Sequence, residues 1–132
     1  MTYRYSRSSQ DKLATCDQQL ITLFSFVIKF RDCTIAWGHR NQQEQNRIYI
    51  QGASKVKWPH SDHNKLPSRA VDAYPYIDGA VSFDRDQCIN FAGFVQGLAA
   101  FMDIPLGWGG DWDQDFNIKE HKLQDLGHFY LL

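Results

Sequence analysis

The sequence predicts an α+β domain, and three observations carry that prediction. Helical stretches with recognisable cap residues fill much of the first half and recur late in the chain. Short β-branched or aromatic runs of strand length stand between and after them. The elements do not alternate strictly as strand–helix–strand, which separates the pattern from a parallel α/β sheet. No repeat, linker or low-complexity tract interrupts the 132 residues, so residues 1–132 are expected to form one domain.

Taken in order, Ser9 and Asp17 are candidate N-caps. They would open a short helix near 9–15 and a largely buried one near 17–29, where "DQQLITLFSFVIKF" is apolar on all sides after its first turn. "CTIAW" (33–37) reads as a strand. Asn41 caps a third helix through "QQEQNRIYI", and Gly52 suits its C-terminal stop. Residues 53–68 scatter Gly, Ser, Lys, Pro and Asn and read as loop. "RAVDAY" (69–74) is a strand, and 84–102 is a long amphipathic helix with acids in its first turn. "GWGGDWD" (107–113) is a glycine-rich turn, and "HFYLL" (128–132) is a closing strand.

Composition excludes several classes. A net charge of -1, from 14 basic and 15 acidic residues, makes no electrostatic case for nucleic acid. Cys16, Cys33 and Cys88 lie far apart with no C-x-x-C pair, arguing against a thiolate zinc knuckle and against a disulfide framework. Free, buried thiols in a reducing compartment are the simplest reading. The N-terminus is polar and lacks an apolar signal core, and "LITLFSFVIKF" is too short to span a bilayer. The expectation is a monomer made as a soluble cytoplasmic chain, with no stable membrane association.

The chemistry concentrates in "WPHSDHNKLPSRAVDAYPY", from Trp58 to Tyr76. Asp72 interrupts an apolar run, where a carboxylate is costly unless it meets a cation or hydrogen bonds. A cap or strand-edge hydrogen bond is the plainer alternative. His63, Asp72 and His128 are donor types that zinc takes, and three ligands with an open position form the catalytic pattern. Asp125, three residues before His128, is near enough to reach a water on the same metal. Spacing alone decides little, because these ligands form no local pattern such as H-E-x-x-H. A histidine taken singly is more often a surface or core residue.

"SDHNKLPSRAVDAYPY" resembles the metal-binding segment of the LAS metallopeptidases, the group that includes D-Ala-D-Ala carboxypeptidases and dipeptidases. It is most similar to the L-alanyl-D-glutamate peptidases that phages use as endolysins. That pattern begins with Ser-x-His and ends with Ala-x-Asp, supplied here by Ser61, His63, Ala70 and Asp72. Eight residues including "LPS" separate His63 from Asp72, where many members have a glycine-containing six. "GHRNQQEQNRIYIQG" resembles the stretch with Gly, then Arg, then Gln five residues later, and a Tyr-x-x-Gly close. "WGGDW" (108–112) and "DLGHFYL" resemble the last two motifs, so the match runs from 38 to 132. One departure is Trp37-Gly38-His39-Arg40, where the family often has Glu-Gly before x-Arg.

The resemblance implies a hedgehog/DD-peptidase-like fold, a small antiparallel sheet flanked by helices. It implies Zn²⁺ held by His63, Asp72 and His128, with Asp125 as general base and acid and Arg40 stabilising the oxyanion. The implied activity is a zinc-dependent endolysin hydrolysing the L-alanyl-D-glutamate bond of peptidoglycan stem peptides by a metal-activated water, after release from the cytoplasm. A D-Ala-D-Ala carboxypeptidase would use the same metal set. A zinc-containing binding module without turnover is the alternative from a different class, and it would need neither Asp125 nor Arg40.

Ser61, His60 and Trp108 are candidate substrate contacts. The hydroxyl of Ser61 would serve equally as a loop turn former. His39 reads as a helix-entry surface residue and His121 as a solvated loop residue. Trp108 and Trp112 either wall a cleft or pack within the tight turn. "DWDQD" (111–115), with Asp103, lacks the order of an EF-hand and reads as a solvated acidic face.

Overall fold

The computed structural model describes residues 3–115, 117 and 125–132. Their elements are α1 (Arg7–Leu13), α2 (Gln18–Phe30), β1 (Cys33–Trp37), α3 (Gln42–Ile50), β2 (Ala70–Ile77), β3 (Ala80–Val81), α4 (Arg85–Phe101), β4 (Leu106–Trp108) and β5 (His128–Leu131). A single 3-10 turn, Asp62–Asn64, punctuates the long loop before β2. The sheet runs β1-β2-β5-β4 with every pairing antiparallel, and β3 folds back on the end of β2. The fold is α+β. No helix among the described residues is long and apolar enough to cross a membrane.

Caps set the helix starts. Asp17 accepts the Gln19 N–H and opens α2, and Asn41 forms a reciprocal capping box with Glu44 at the start of α3. Gly52 follows the last turn of α3 with φ of +80°, a conformation that glycine adopts without a Cβ penalty. The first helix starts earlier than Ser9 suggests, because Ser6 accepts the Ser9 N–H and is the cap. Ser9 instead turns inward, and its hydroxyl accepts the Ile35 N–H of edge strand β1 at 3.0 Å. That bond satisfies a buried donor that a sheet edge would leave unpaired.

Strand alternation divides the sheet into two faces. Val71 and Ala73 of β2, Phe129 and Leu131 of β5, and Cys33 and Ile35 of β1 point into the core. There they meet Leu20, Leu23, Phe24 and Val27 of α2 and Phe91, Ala92 and Val95 of α4. Phe129 is fully buried and meets Phe24 and Phe91 edge-on, with ring centroids 5.7 and 6.3 Å apart. The opposite face carries Asp72, Tyr74, His128 and Tyr130. A register irregularity between Ile35 and Trp37 brings Trp37 opposite Asp72 on that face.

Because Phe129 joins both helices to the strand that carries His128, its truncation leaves a cavity at the centre of the domain. Phe129→Ala is expected to lower stability by about 3–5 kcal/mol, measured by urea denaturation.

Candidate metal centre and active-site cleft

Register alone brings two site residues together. Asp72 pairs with His128 across β2 and β5, so both side chains stand on the same face. His128 Nδ1 lies 3.0 Å from Asp72 Oδ1.

The third residue arrives on the loop. Ser61 accepts the His63 N–H at 3.1 Å, and Asn64 Oδ1 accepts the Ser61 N–H at 3.0 Å, which locks the short turn around His63. Asn64 Nδ2 donates to the Arg40 carbonyl and to Gln45 Oε1, and the Arg40 N–H donates to the His63 carbonyl at 2.8 Å. His63 Nδ1 is 2.7 Å from the Gly38 carbonyl oxygen, which only accepts, so this nitrogen carries the proton. A Cβ at Gly38 would overlap the Lys12 carbonyl oxygen, so glycine permits the close approach that places this acceptor.

That bond orients the other ring nitrogen. His63 Nε2 faces Asp72 Oδ1 at 3.2 Å, and in the neutral ring it presents a lone pair to an oxygen lone pair. Two such groups repel unless positive charge lies between them. The donor atoms of His63, Asp72 and His128 all lie within 4.8 Å of one another. Two imidazole nitrogens and one carboxylate oxygen fit a catalytic zinc site with an open position. The carbonyl behind His63 supplies the outer contact that fixes the tautomer of a metal-binding histidine.

Arg40 closes the other side of Asp72, with Nη2 donating to Oδ2 at 2.9 Å. Its Nη1 donates to Gln45 Oε1 at 3.3 Å, and its guanidinium carbon sits 4.9 Å from the centre of the Trp37 ring. Arg40 Nε is buried without a partner among the described residues. Burial pushes the Arg40 pKa down, Asp72 and Asp125 push it back, and the group stays charged. Burial alone would raise the Asp72 pKa, but His63 and His128 hold it well below the usual carboxylate range. Burial would lower the His128 pKa, yet its hydrogen bond to Asp72 and the charges of Asp72 and Asp125 raise it overall.

Asp125 stands at the cleft mouth. Its backbone N–H donates to the Gly109 carbonyl at 2.9 Å, and its carbonyl accepts the His128 N–H at 3.1 Å. A Cβ on Gly109 would collide with the Asp125 carbonyl oxygen, so the glycine-rich turn serves to seat Asp125. Desolvation raises the Asp125 pKa, with Asp72 adding to the effect. A carboxylate with a raised pKa is better suited to exchange protons near neutrality.

A cavity of about 360 Å³ is lined by Arg40, Ser61, His63, Trp112, Asp125 and His128, with His60 at its rim. A second, of about 400 Å³, is lined by Arg40, Asp72, Tyr74 and Asp125 among others. A larger cavity, about 780 Å³, follows the outer side of α3; Arg47 lines it, but Arg40, Asp72, Asp125 and the histidines do not.

The expected metal residues, Arg40 and Asp125 are thus brought together, and Ser61 and His60 border the same cleft. Trp108 departs from its expected role as a substrate contact. It is 3% exposed, belongs to the core, and its indole N–H donates to the Leu126 carbonyl at 2.9 Å. Trp112 faces the cleft instead, 38% exposed and stacked on Tyr130 beside His128. Strand β4 ends at Trp108, turning its side chain to the core before the glycines reverse the chain. The acidic stretch is not wholly solvated either, since Asp111 is buried. Asp111, Asp113 and Asp115 are close enough to share a cation. His39 donates its backbone N–H to Thr15 and does not line the cleft, and His121 lies outside the described residues. The cysteines are buried and unpaired, with Cys16 and Cys33 pushed up to about 12 by burial, so they are poor nucleophiles.

The family described as phage L-alanyl-D-glutamate peptidase matches residues 1–132. The chain belongs to that family. A search of curated proteins finds no match. Among solved structures the chain resembles the crystal structure of the Serratia marcescens L-Ala D-Glu endopeptidase ChiX, at 23% identity and a TM-score of 0.77. That likeness covers 98% of this chain and 90% of the other, and it speaks to the fold. Membership makes the protein a peptidase directed at peptidoglycan.

Gln45 and Asn64 were not singled out by sequence. Gln45 sits among amide-rich, solvated neighbours, and only its position five residues after Arg40 hinted at a role. It is fully buried and serves Arg40, Asn64, Ser54 and Val56 at once. Gln45→Leu strands those partners and is expected to cost about 2 kcal/mol or more, read from chemical denaturation of the metal-free protein.

Proposed function

We propose that this protein is a zinc-dependent peptidoglycan endolysin that hydrolyses the L-alanyl-D-glutamate bond of stem peptides. The observation that carries the reading is the convergence of His63 Nε2, Asp72 Oδ1 and His128 Nδ1 in a cleft that also presents Arg40 and Asp125. His63, Asp72 and His128 would hold the zinc. When bound, zinc supplies Lewis-acid polarisation and activates water at neutral pH.

The remaining work falls to the chain itself. Asp125, with its raised pKa and its place on both cavities, takes a proton from the attacking water and returns it to the departing amine. Arg40 is held by Asp72 and Gln45 on its terminal nitrogens, which fixes the cation beside the scissile carbonyl. Fixed positive charge stabilises the developing oxyanion without reorganisation. Trp112 and His60 line the approach to the cleft. The cysteines take no part.

Digestion of purified peptidoglycan by wild type and Asp125→Ala, with products identified by mass spectrometry and zinc content measured, tests the reading. Wild type is expected to release stem peptides beginning at D-Glu. The variant should keep its zinc and lose on the order of 100-fold or more in rate. Release of D-Ala alone would make the protein a carboxypeptidase, and retained zinc with no cleavage would make it a binding module. Gly109→Ala should resemble Asp125→Ala in direction, losing roughly 10-fold or more in kcat with zinc content unchanged.

A further inference from the structure

The cleft has two lobes that meet at Arg40 and Asp125. One contains Ser61, His63 and Trp112, with Lys55 and His60 exposed on its loop. The other has Trp37, Ile48 and Tyr74 as walls and Arg47 on its lining. Arg47 projects from the last turn of α3 and is exposed. Its guanidinium makes no ion pair among the described residues.

The reason is local. Glu44, the only acid on α3, lies one turn before Arg47, but its carboxylate accepts the Asn41 N–H at 2.9 Å in the capping box. Arg40 is committed through both terminal nitrogens, to Asp72 and Gln45. The second lobe, which also holds Asp72 and Asp125, therefore presents a helix-borne cation that is in no ion pair among the described residues.

We propose that Arg47 determines specificity by receiving the α-carboxylate of the D-glutamate on the leaving side of the scissile bond, an inference that rests on the peptidase reading above. In an L-alanyl-D-glutamate linkage, that carboxylate is borne by the carbon attached to the scissile nitrogen. It must therefore enter a lobe that borders Asp125 and Arg40. A guanidinium meets a carboxylate with two parallel donors, which a lysine does not reproduce. Arg47 is also anchored on a helix, whereas Lys55 and His60 stand on a loop. Seating the D-glutamate beside Arg47 leaves the alanyl side and its glycan to the lobe of Ser61 and Trp112.

The test uses the zinc-loaded chain and two synthetic muropeptides that differ only in carrying D-glutamate or D-isoglutamine after L-alanine. Wild type should favour the free carboxylate by roughly 10- to 100-fold in kcat/KM, the worth of one charge-assisted contact. Arg47→Gln should bring the two peptides within about 3-fold of each other, chiefly through a higher KM for the D-glutamate peptide. Lys55→Gln should keep the wild-type preference. Equal cleavage of both peptides by wild type, or an undiminished preference in Arg47→Gln, overturns the proposal. Product masses separate the two levels of inference. Cleavage at another bond, or none, removes the substrate assignment and the role of Arg47 with it, while the expected bond cut without discrimination removes Arg47 alone.

Discussion

Asp72 carries a charge into the interior of a strand, and much of the surrounding structure answers that charge. The residue is 6% exposed, and an unpaired carboxylate there would cost several kcal/mol or shift to its neutral form. Arg40 meets one oxygen, and two imidazoles meet the other. Each partner depends on its own support. Arg40 needs Gln45 and the Trp37 face, His63 needs the Gly38 carbonyl and the Ser61–Asn64 turn, and His128 needs the register of β5. The same lone-pair crowding that makes the pocket costly when empty makes it suited to a divalent cation.

The sheet keeps folding and chemistry apart by strand alternation. Phe129 and Leu131 face the helices, while His128 and Tyr130 face the cleft. A slip of one residue in β5 would bury the histidine among Phe24 and Phe91 and expose the phenylalanine. Rigid elements thus present two of the three candidate metal-binding residues, and the loop residue is fixed by hydrogen bonds to Gly38 and Arg40 in the connection between β1 and α3. That division gives the site the precision that catalysis requires of its ligands.

The legible parts of the sequence were those in which one residue decides a local outcome. Asn41 and Asp17 marked helix starts, Asp72 stood out in its apolar run, and "CTIAW" matched β1 residue for residue. The tryptophans of the glycine-rich turn could not be sorted, because which ring faces the core depends on where β4 ends and the chain reverses. Ser9 resembled a cap because its real role, satisfying an edge strand 26 residues away, is tertiary. Gln45 looked solvated because an amide-rich helix gives no sign that one of its amides points inward. The two-residue strand β3 carries too little pattern to be read at all. Long-range satisfaction of polar groups, more than hydrophobic periodicity, is what the linear sequence concealed.

The central claim is that two imidazoles and one carboxylate meet a single cation at Asp72. X-ray absorption at the zinc edge of the zinc-loaded protein tests it most directly. The account predicts one zinc per chain with a shell of nitrogen and oxygen only, at about 2.0–2.2 Å, including scattering from two imidazole rings. A sulfur ligand, a shell without imidazole, or no stoichiometric zinc would contradict it.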